Sequence, residues 1–241
     1  MPLRAKSWKS LYATSPFGSA AFVTLGANKE IKLEPGSMVS YSDGITPETR
    51  ATGALFGGLK CMGAGESFFQ NTWRAPAGGG EVTLTPSLPG DMIFLPVGKD
   101  DFLLASGTYL ASEMAVSMDS TWGGAKGFFG GGWLVLLRIR GPGKPLACSY
   151  EAIFERTLSQ GECYVVDTDH IVGMDASVRF SVEKSGGWGL TMLGGEGFVC
   201  RLTGPGRVLM QSRSTTASLG WLLPKLPKSS NKVRNDRTRR R

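Results

Sequence analysis

Three stretches of this 241-residue chain follow one plan: an opening glycine, a short apolar strand, a glycine- and proline-rich turn and a second apolar strand. The fullest copy opens at Gly195 and runs Gly195-Glu196-Gly197-Phe198-Val199-Cys200-Arg201-Leu202-Thr203 into Gly204-Pro205-Gly206, then Arg207 to Ser212. The second opens at Gly132 and turns at Gly141-Pro142-Gly143. The first opens at Gly65 and has Ala75-Pro76-Ala77-Gly78-Gly79 where the others have Gly-Pro-Gly. Proline presets φ for a turn, and glycine accepts the angles on either side of it that other residues resist. A spacing of roughly 65 residues is long enough for a unit of several strands, so the chain is expected to hold three such units in series.

The flanking sequence carries the same reading. Phe22-Val23-Thr24-Leu25 and Ile31-Lys32-Leu33 read as strands, and Glu34-Pro35-Gly36 turns the chain into Ser37-Met38-Val39-Ser40-Tyr41. Counterparts of that last segment are Ala105 to Ser112 and Val166 to Met174, where a small or polar turn again precedes an apolar strand. Asp91 to Leu95 is a strand between prolines, and Gly161 to Val166 is set against it as its match in the third repeat. Val178-Arg179-Phe180-Ser181-Val182-Glu183 alternates with period two, as a strand with one buried face does. Only Tyr150 to Leu158 has helical composition, and it is short enough to be a strand around Ile153 and Phe154. The expected fold class is therefore all-β. Residues 1–20 are read as a loose N-terminal arm, 21–224 as the triplicated body (21–98, 99–165 and 166–224), and 225–241 as a disordered basic tail.

The formal charge of +7 sits in one place. From Lys225 onward there are eight basic residues and one acid, while the remaining 19 basic and 19 acidic residues cancel. Those eight are Lys225, Lys228, Lys232, Arg234, Arg237, Arg239, Arg240 and Arg241, directly after the apolar Trp221, Leu222 and Leu223. The tail is suited to anionic lipid, with Trp221-Leu222-Leu223 seated at the interface, or to a nucleic-acid backbone; the neutral body gives nucleic acid no long track. Arg4, Lys6 and Lys9 in an acid-free N-terminus weakly resemble a targeting peptide.

Catalytic chemistry finds little to work with. There is no Walker A loop and no dinucleotide fingerprint. His170 is the one histidine, so a catalytic triad would need it, with Asp167 or Asp169 to orient it and Cys163 or a serine as nucleophile. Asp-Thr-Asp-His is also what a turn entering a strand looks like. As metal ligands Asp167, Asp169 and His170 fail, because alternate strand residues face opposite ways and no third ligand type lies near. Cys61, Cys148, Cys163 and Cys200 form no CxxC and read as small apolar groups in a reducing compartment. No catalytic residue, cofactor or metal is assigned. Glycine-aromatic loops at Leu55 to Gly58, Trp122 to Gly130 and Gly186 to Leu190 precede the repeats and are read as covers for core edges.

Gly-Glu-Ser-Phe-Phe at 65–69, Gly-Glu-Val-Thr-Leu at 80–84, Leu-Pro-Gly-Asp at 88–91, Val-Asp-Thr-Asp-His at 166–170 and Gly-Glu-Gly-Phe-Val with Gly-Pro-Gly at 195–206 together resemble the Altered Inheritance of Mitochondria family. The resemblance runs from about residue 21 to residue 214. It implies three tandem small β-sandwich modules of a shortened double-stranded β-helix type, packed side by side, with a fold like the tryptophan RNA-binding attenuation protein. It further implies three chains closing into a homotrimeric ring of nine modules. Edge strands left open by one module need another module to cover them, which agrees with a closed ring. The triplicated strands and the missing catalytic set point to a non-catalytic homotrimeric assembly or scaffold protein, acting through its surface and tail on membrane-organising proteins or an anionic membrane surface; the resemblance implies, in mitochondria, a link to inner-membrane organisation. A single-stranded RNA-binding ring is the alternative, and an enzyme or small-ligand pocket near His170 the second. The implied location is mitochondrial for a eukaryotic chain and cytoplasmic otherwise. Trp133 stands where repeats one and three have Glu66 and Glu196, and the basic tail lies outside the shared pattern.

Overall fold

In the computed structural model of this chain the described residues are 9–15, 18–48, 71–95, 97, 100–121, 134–184 and 198–226. The opening glycines 65, 132 and 195, Glu66, Glu196, Trp133, the three glycine-aromatic loops, Cys61 and the basic residues from Lys228 on lie outside them.

The described residues are mostly strand, and their pairing repeats. A first unit holds β2 (Gly18–Leu25), β3 (Glu30–Leu33), β4 (Met38–Tyr41), β5 (Thr46–Glu48), β6 (Asn71–Arg74) and β7 (Gly80–Leu84). A second holds β8 (Met92–Phe94), β9 (Phe102–Ala105), β10 (Tyr109–Glu113), β11 (Ser117–Thr121), β12 (Leu136–Arg140) and β13 (Pro145–Cys148). The third holds β14 (Ile153–Leu158), β15 (Cys163–Asp167), β16 (Ile171–Asp175), β17 (Arg179–Lys184), β18 (Phe198–Thr203) and β19 (Gly206–Gln211). Ahead of them β1 (Lys9–Ser15) pairs with β2, and after them comes the helix α1 (Thr215–Leu222).

All the strand pairs within the sheets are antiparallel, and the sheets run across the units. Their orders are β1-β2-β7-β4, β5-β6-β3-β10-β13-β8, β11-β12-β9-β16-β19-β14 and β15-β18-β17. Each unit thus contributes two three-stranded halves to two different sheets. The second half of one unit continues into the first half of the next through β3 with β10 and β9 with β16. One apolar core fills the space between each successive pair of sheets. Val23, Leu25, Ile31 and Leu84 lie in the first, Phe102, Tyr109, Ile139 and Ala147 in the second, and Val166, Cys200, Leu202 and Val208 in the third. Fully burying a leucine- or isoleucine-sized side chain is worth about 1.5–3 kcal/mol, and period-two alternation directs such residues inward.

Details recur at the same position in each unit. A bulge interrupts β4 against β7 between Met38 and Ser40, β10 against β13 between Tyr109 and Ala111, and β16 against β19 between Ile171 and Gly173. Past the bulge one side chain clasps the partner strand's backbone. Ser42 Oγ accepts from Glu81 N at 2.9 Å, Glu113 Oε2 from Lys144 N at 3.1 Å, and Asp175 Oδ2 from Arg207 N at 2.8 Å. Three residues further on, Ile45, Val116 and Val178 are each buried. Each turn also holds a glycine at positive φ a few residues or fewer before the clasped amide, Gly79, Gly141 and Gly206, and a Cβ at Gly141 would collide with the Ala115 carbonyl.

Three sequence expectations change. Residues 9–15 are a strand on β2 rather than part of a loose arm, since an apolar sheet edge accepts a neighbour that has no strong pattern of its own. The pairing equates β8 with β14 and β15 with β9, so Gly161 to Val166 does not match Asp91 to Leu95, and the units begin at β8 and β14 instead of at 99 and 166. The strands flanking each Gly-Pro-Gly turn lie in different sheets, so the turn carries the chain from one sheet to the other. Residues Thr215–Leu222 are helical, started by the Ser214 hydroxyl, which accepts from Ala217 N at 3.0 Å.

Candidate functional site: two open sheet edges

The residues singled out for chemistry are used for structure. The Asp167 carboxylate accepts from Asp169 N at 2.9 Å and caps the one-turn helix Thr168–His170. Asp169 accepts the Ser214 hydroxyl at 2.9 Å and so fixes the start of α1. His170 Nδ1 lies 2.7 Å from the Gln211 carbonyl, which can only accept, so that nitrogen carries the proton and is oriented by backbone rather than by either aspartate. Cys163 is at the far end of β15, about 13 Å from Asp167 by strand rise alone, which places it out of reach of His170. Its sulfur lies 3.7 Å from Thr203 Oγ1. Burial pushes the Cys148 and Cys200 thiols up to about 12, so neither is a thiolate near neutral pH. Glu34, Ser106, Thr108, Ser149, Asp169 and Gln211 help line a cleft of about 430 Å³. Its polar groups are spent internally: Gln211 Oε1 accepts from Tyr150 N, Gln211 Nε2 donates to the Asp169 carbonyl, and Ser149 Oγ donates to the Glu151 carbonyl. Among the described residues no cluster of histidine, cysteine and carboxylate groups could hold a metal.

The sheet edges are more informative. Each of the four sheets has two, and most are blunted. β5 contains Pro47, β8 is three residues long, β14 carries Glu155 and Arg156, and β17 carries Arg179 and Glu183. Charge, proline and shortness are the usual defences against another strand adding on. β11 has Asp119; β1 is charged only at its first residue, Lys9, and lies outside the three repeated units. β4 (Met38-Val39-Ser40-Tyr41) has no charge or proline, and β15 has only the terminal Asp167.

These two strands hold the places that are sealed elsewhere. By register β4 is equivalent to β10 and β16, and β15 to β3 and β9. The bulged position is apolar in every unit, yet Val39 is 56% exposed while Leu110 and Val172 are 1% and 0%. Tyr41 is 47% exposed where Ser112 and Met174 are wholly buried, and Val165 is 46% exposed where Leu103 is 4%. The position between them is small throughout: Ser40, Ala111 and Gly173. A Cβ on Gly173 would lie 2.7 Å from the Leu103 carbonyl across the sealed junction, so small residues there permit close approach. Tyr41 is braced, its ring 5.1 Å from that of Trp73.

Trp221, Leu222, Leu223 and Lys225 form a separate exposed surface, with Lys225 Nζ 4.4 Å above the Trp221 ring. Sequence reasoning named these four but missed the edges. The signal available was the mismatch between their bare apolar composition and the charged composition of the other edges.

Fold and edges together define a class: an all-β protein of serially linked antiparallel sheets whose distinctive surface is strand edge rather than pocket. The chain belongs to the family described as mitochondrial biogenesis AIM24, whose profile matches residues 17–213. It is 30% identical over 210 residues to the uncharacterized protein M6_Spy0233 of Streptococcus pyogenes serotype M6, covering 83% of this chain and 84% of that one. The crystal structure of protein SPYM3_0169 from Streptococcus pyogenes superposes with a TM-score of 0.76 at 25% identity, covering 91% of this chain and all of the other.

Proposed function

We propose that this protein is a non-catalytic scaffold that joins to copies of itself, β15 of one protomer pairing with β4 of the next. The observation that carries the reading is the exposure of Val39, Tyr41 and Val165, whose counterparts Leu110, Val172, Ser112, Met174 and Leu103 are buried at the internal junctions, with Lys32 half-buried in the Val165 position of the first. Extending the internal registers sets Val166 opposite Ser40 of the next chain, Val165 opposite Tyr41 and Tyr164 opposite Ser42. A head-to-tail contact of this kind closes into a ring or grows without end. Family resemblance supports closure at three chains and nine units, a ring like that of the tryptophan RNA-binding attenuation protein. The description of the family as one of mitochondrial biogenesis supports a role for such a ring in organising the inner membrane where the chain acts in that organelle.

Paired cysteines test the register. Facing Cα atoms in an antiparallel pair lie about 4.5–5.5 Å apart, within disulfide range. Tyr41→Cys with Val165→Cys, in a chain whose Cys61 and Cys163 are serine, is expected to oxidise into a ladder ending at the covalent trimer. Neither single variant forms it. A double variant that stays at single-chain mass after oxidation overturns the reading.

A further inference from the structure

Helix α1 is anchored at its start by Ser214 and Asp169, and none of its eight residues is buried. A helix this short is marginal in water without tertiary packing. Yet it contains no charged residue, and it and the turn after it expose Leu219, Trp221, Leu222, Leu223 and Leu226, with Trp221 64% exposed. The chain then becomes basic, with eight lysines and arginines against one acid between residues 225 and 241.

Charge decides what covers this surface. The rest of the chain carries no net charge, so a second copy offers no matching acidic field. RNA would match the basic run but not the leucines. An anionic bilayer matches both, because tryptophan favours the headgroup boundary, leucines enter the acyl edge, and lysine and arginine are drawn to anionic headgroups. We propose that the surface of Leu219, Trp221, Leu222, Leu223 and Lys225 docks on anionic lipid, its apolar side chains at the acyl boundary, with the charge of the basic sequence that follows adding attraction to the headgroups. Cyclic symmetry would place three such segments on one face of the ring and multiply their hold; that gain rests on the proposed assembly, whereas docking by one chain does not.

Full-length protein mixed with vesicles of phosphatidylcholine and phosphatidylglycerol at 7:3, and with pure phosphatidylcholine, tests this by co-sedimentation. Binding to the anionic vesicles is expected to be at least about tenfold stronger and to fall with added salt. Trp221→Glu with Leu223→Glu, both exposed and so harmless to folding, is expected to lose most of it, as is replacement of Arg237, Arg239, Arg240 and Arg241 by glutamine. Equal binding to both vesicle types overturns the proposal, as does binding unchanged by the Trp221 and Leu223 changes. So does a preference for poly-uridylate that the same double variant retains. Native mass of each variant separates this from assembly: a tail variant that leaves the vesicles but keeps the wild-type mass has lost lipid contact alone.

Discussion

The junction between β9 and β16 and the open edges of β4 and β15 are the same construction with and without a neighbour. β16 and β4 alike have the bulge, the apolar residue on it and a small residue beside it, but only β16 is covered, by β9. Ordinary edges in this molecule are charged, short or proline-bearing, whereas these two keep the composition of an interior position. Residue choice therefore follows the covered counterparts rather than the exposure of the isolated chain, as expected of a surface selected to be buried.

Breaking the sealed junction is expected to have the largest effect. Leu103→Asp buries an unpaired carboxylate beside the third core and is expected to cost about 4 kcal/mol or more, read as loss of the cooperative thermal transition. The equivalent change at the open edge, Val165→Asp, is expected to leave the single chain within about 0.5 kcal/mol of its original stability while reducing the particle to single-chain mass. If Val165→Asp destabilises the single chain as Leu103→Asp does, the two sites are not related as described.

A smaller effect comes from Lys32, which holds the Val165 position in the first junction. Its Nζ donates to the Val116 carbonyl across that junction at 2.7 Å, and Ile45 is the counterpart of Val116 in the first unit. Val165→Lys is therefore expected to preserve assembly where Val165→Asp destroys it, which a native mass measurement distinguishes. Desolvation lowers the Lys32 pKa below its ordinary 10.5. The unfolded chain then binds the proton more tightly, so this residue's contribution is fully present above 10.5 and is lost as pH falls through the lowered folded value. Relative to Lys32→Met, the wild type should gain stability with rising pH only in that interval, as urea melts at stepped pH would record.

Much of the fold was legible from local chemistry. Positive-φ glycines mark the turns, and Arg179, Ser181 and Glu183 face water while Phe180 and Val182 turn toward the core, as their alternation implied. The correspondence of the segments ending at Tyr41, Ser112 and Met174 was also legible, because a small or polar turn enters each strand. What escaped was long-range. Nothing in Lys32 or Leu103 announces that its strand will bond to the next unit, since their cross-strand partners, Ser112 and Met174, are far away in sequence. Helix α1 escaped for a related reason: its composition is apolar without a periodic face, so neither strand nor helix was favoured. The service of the Asp-Thr-Asp-His turn to α1, through Asp169 and Ser214, could not be seen before the termini of β19 and β15 were brought together.

Mass in solution, followed by light scattering on the full chain through serial dilution, tests the closing of β15 on β4 most directly. A particle of three times the 25.7 kDa chain mass, reduced to one by Val165→Asp, is the expected result. A wild-type chain that stays at 25.7 kDa at high concentration, with Val39, Tyr41 and Val165 still open to solvent, would contradict it.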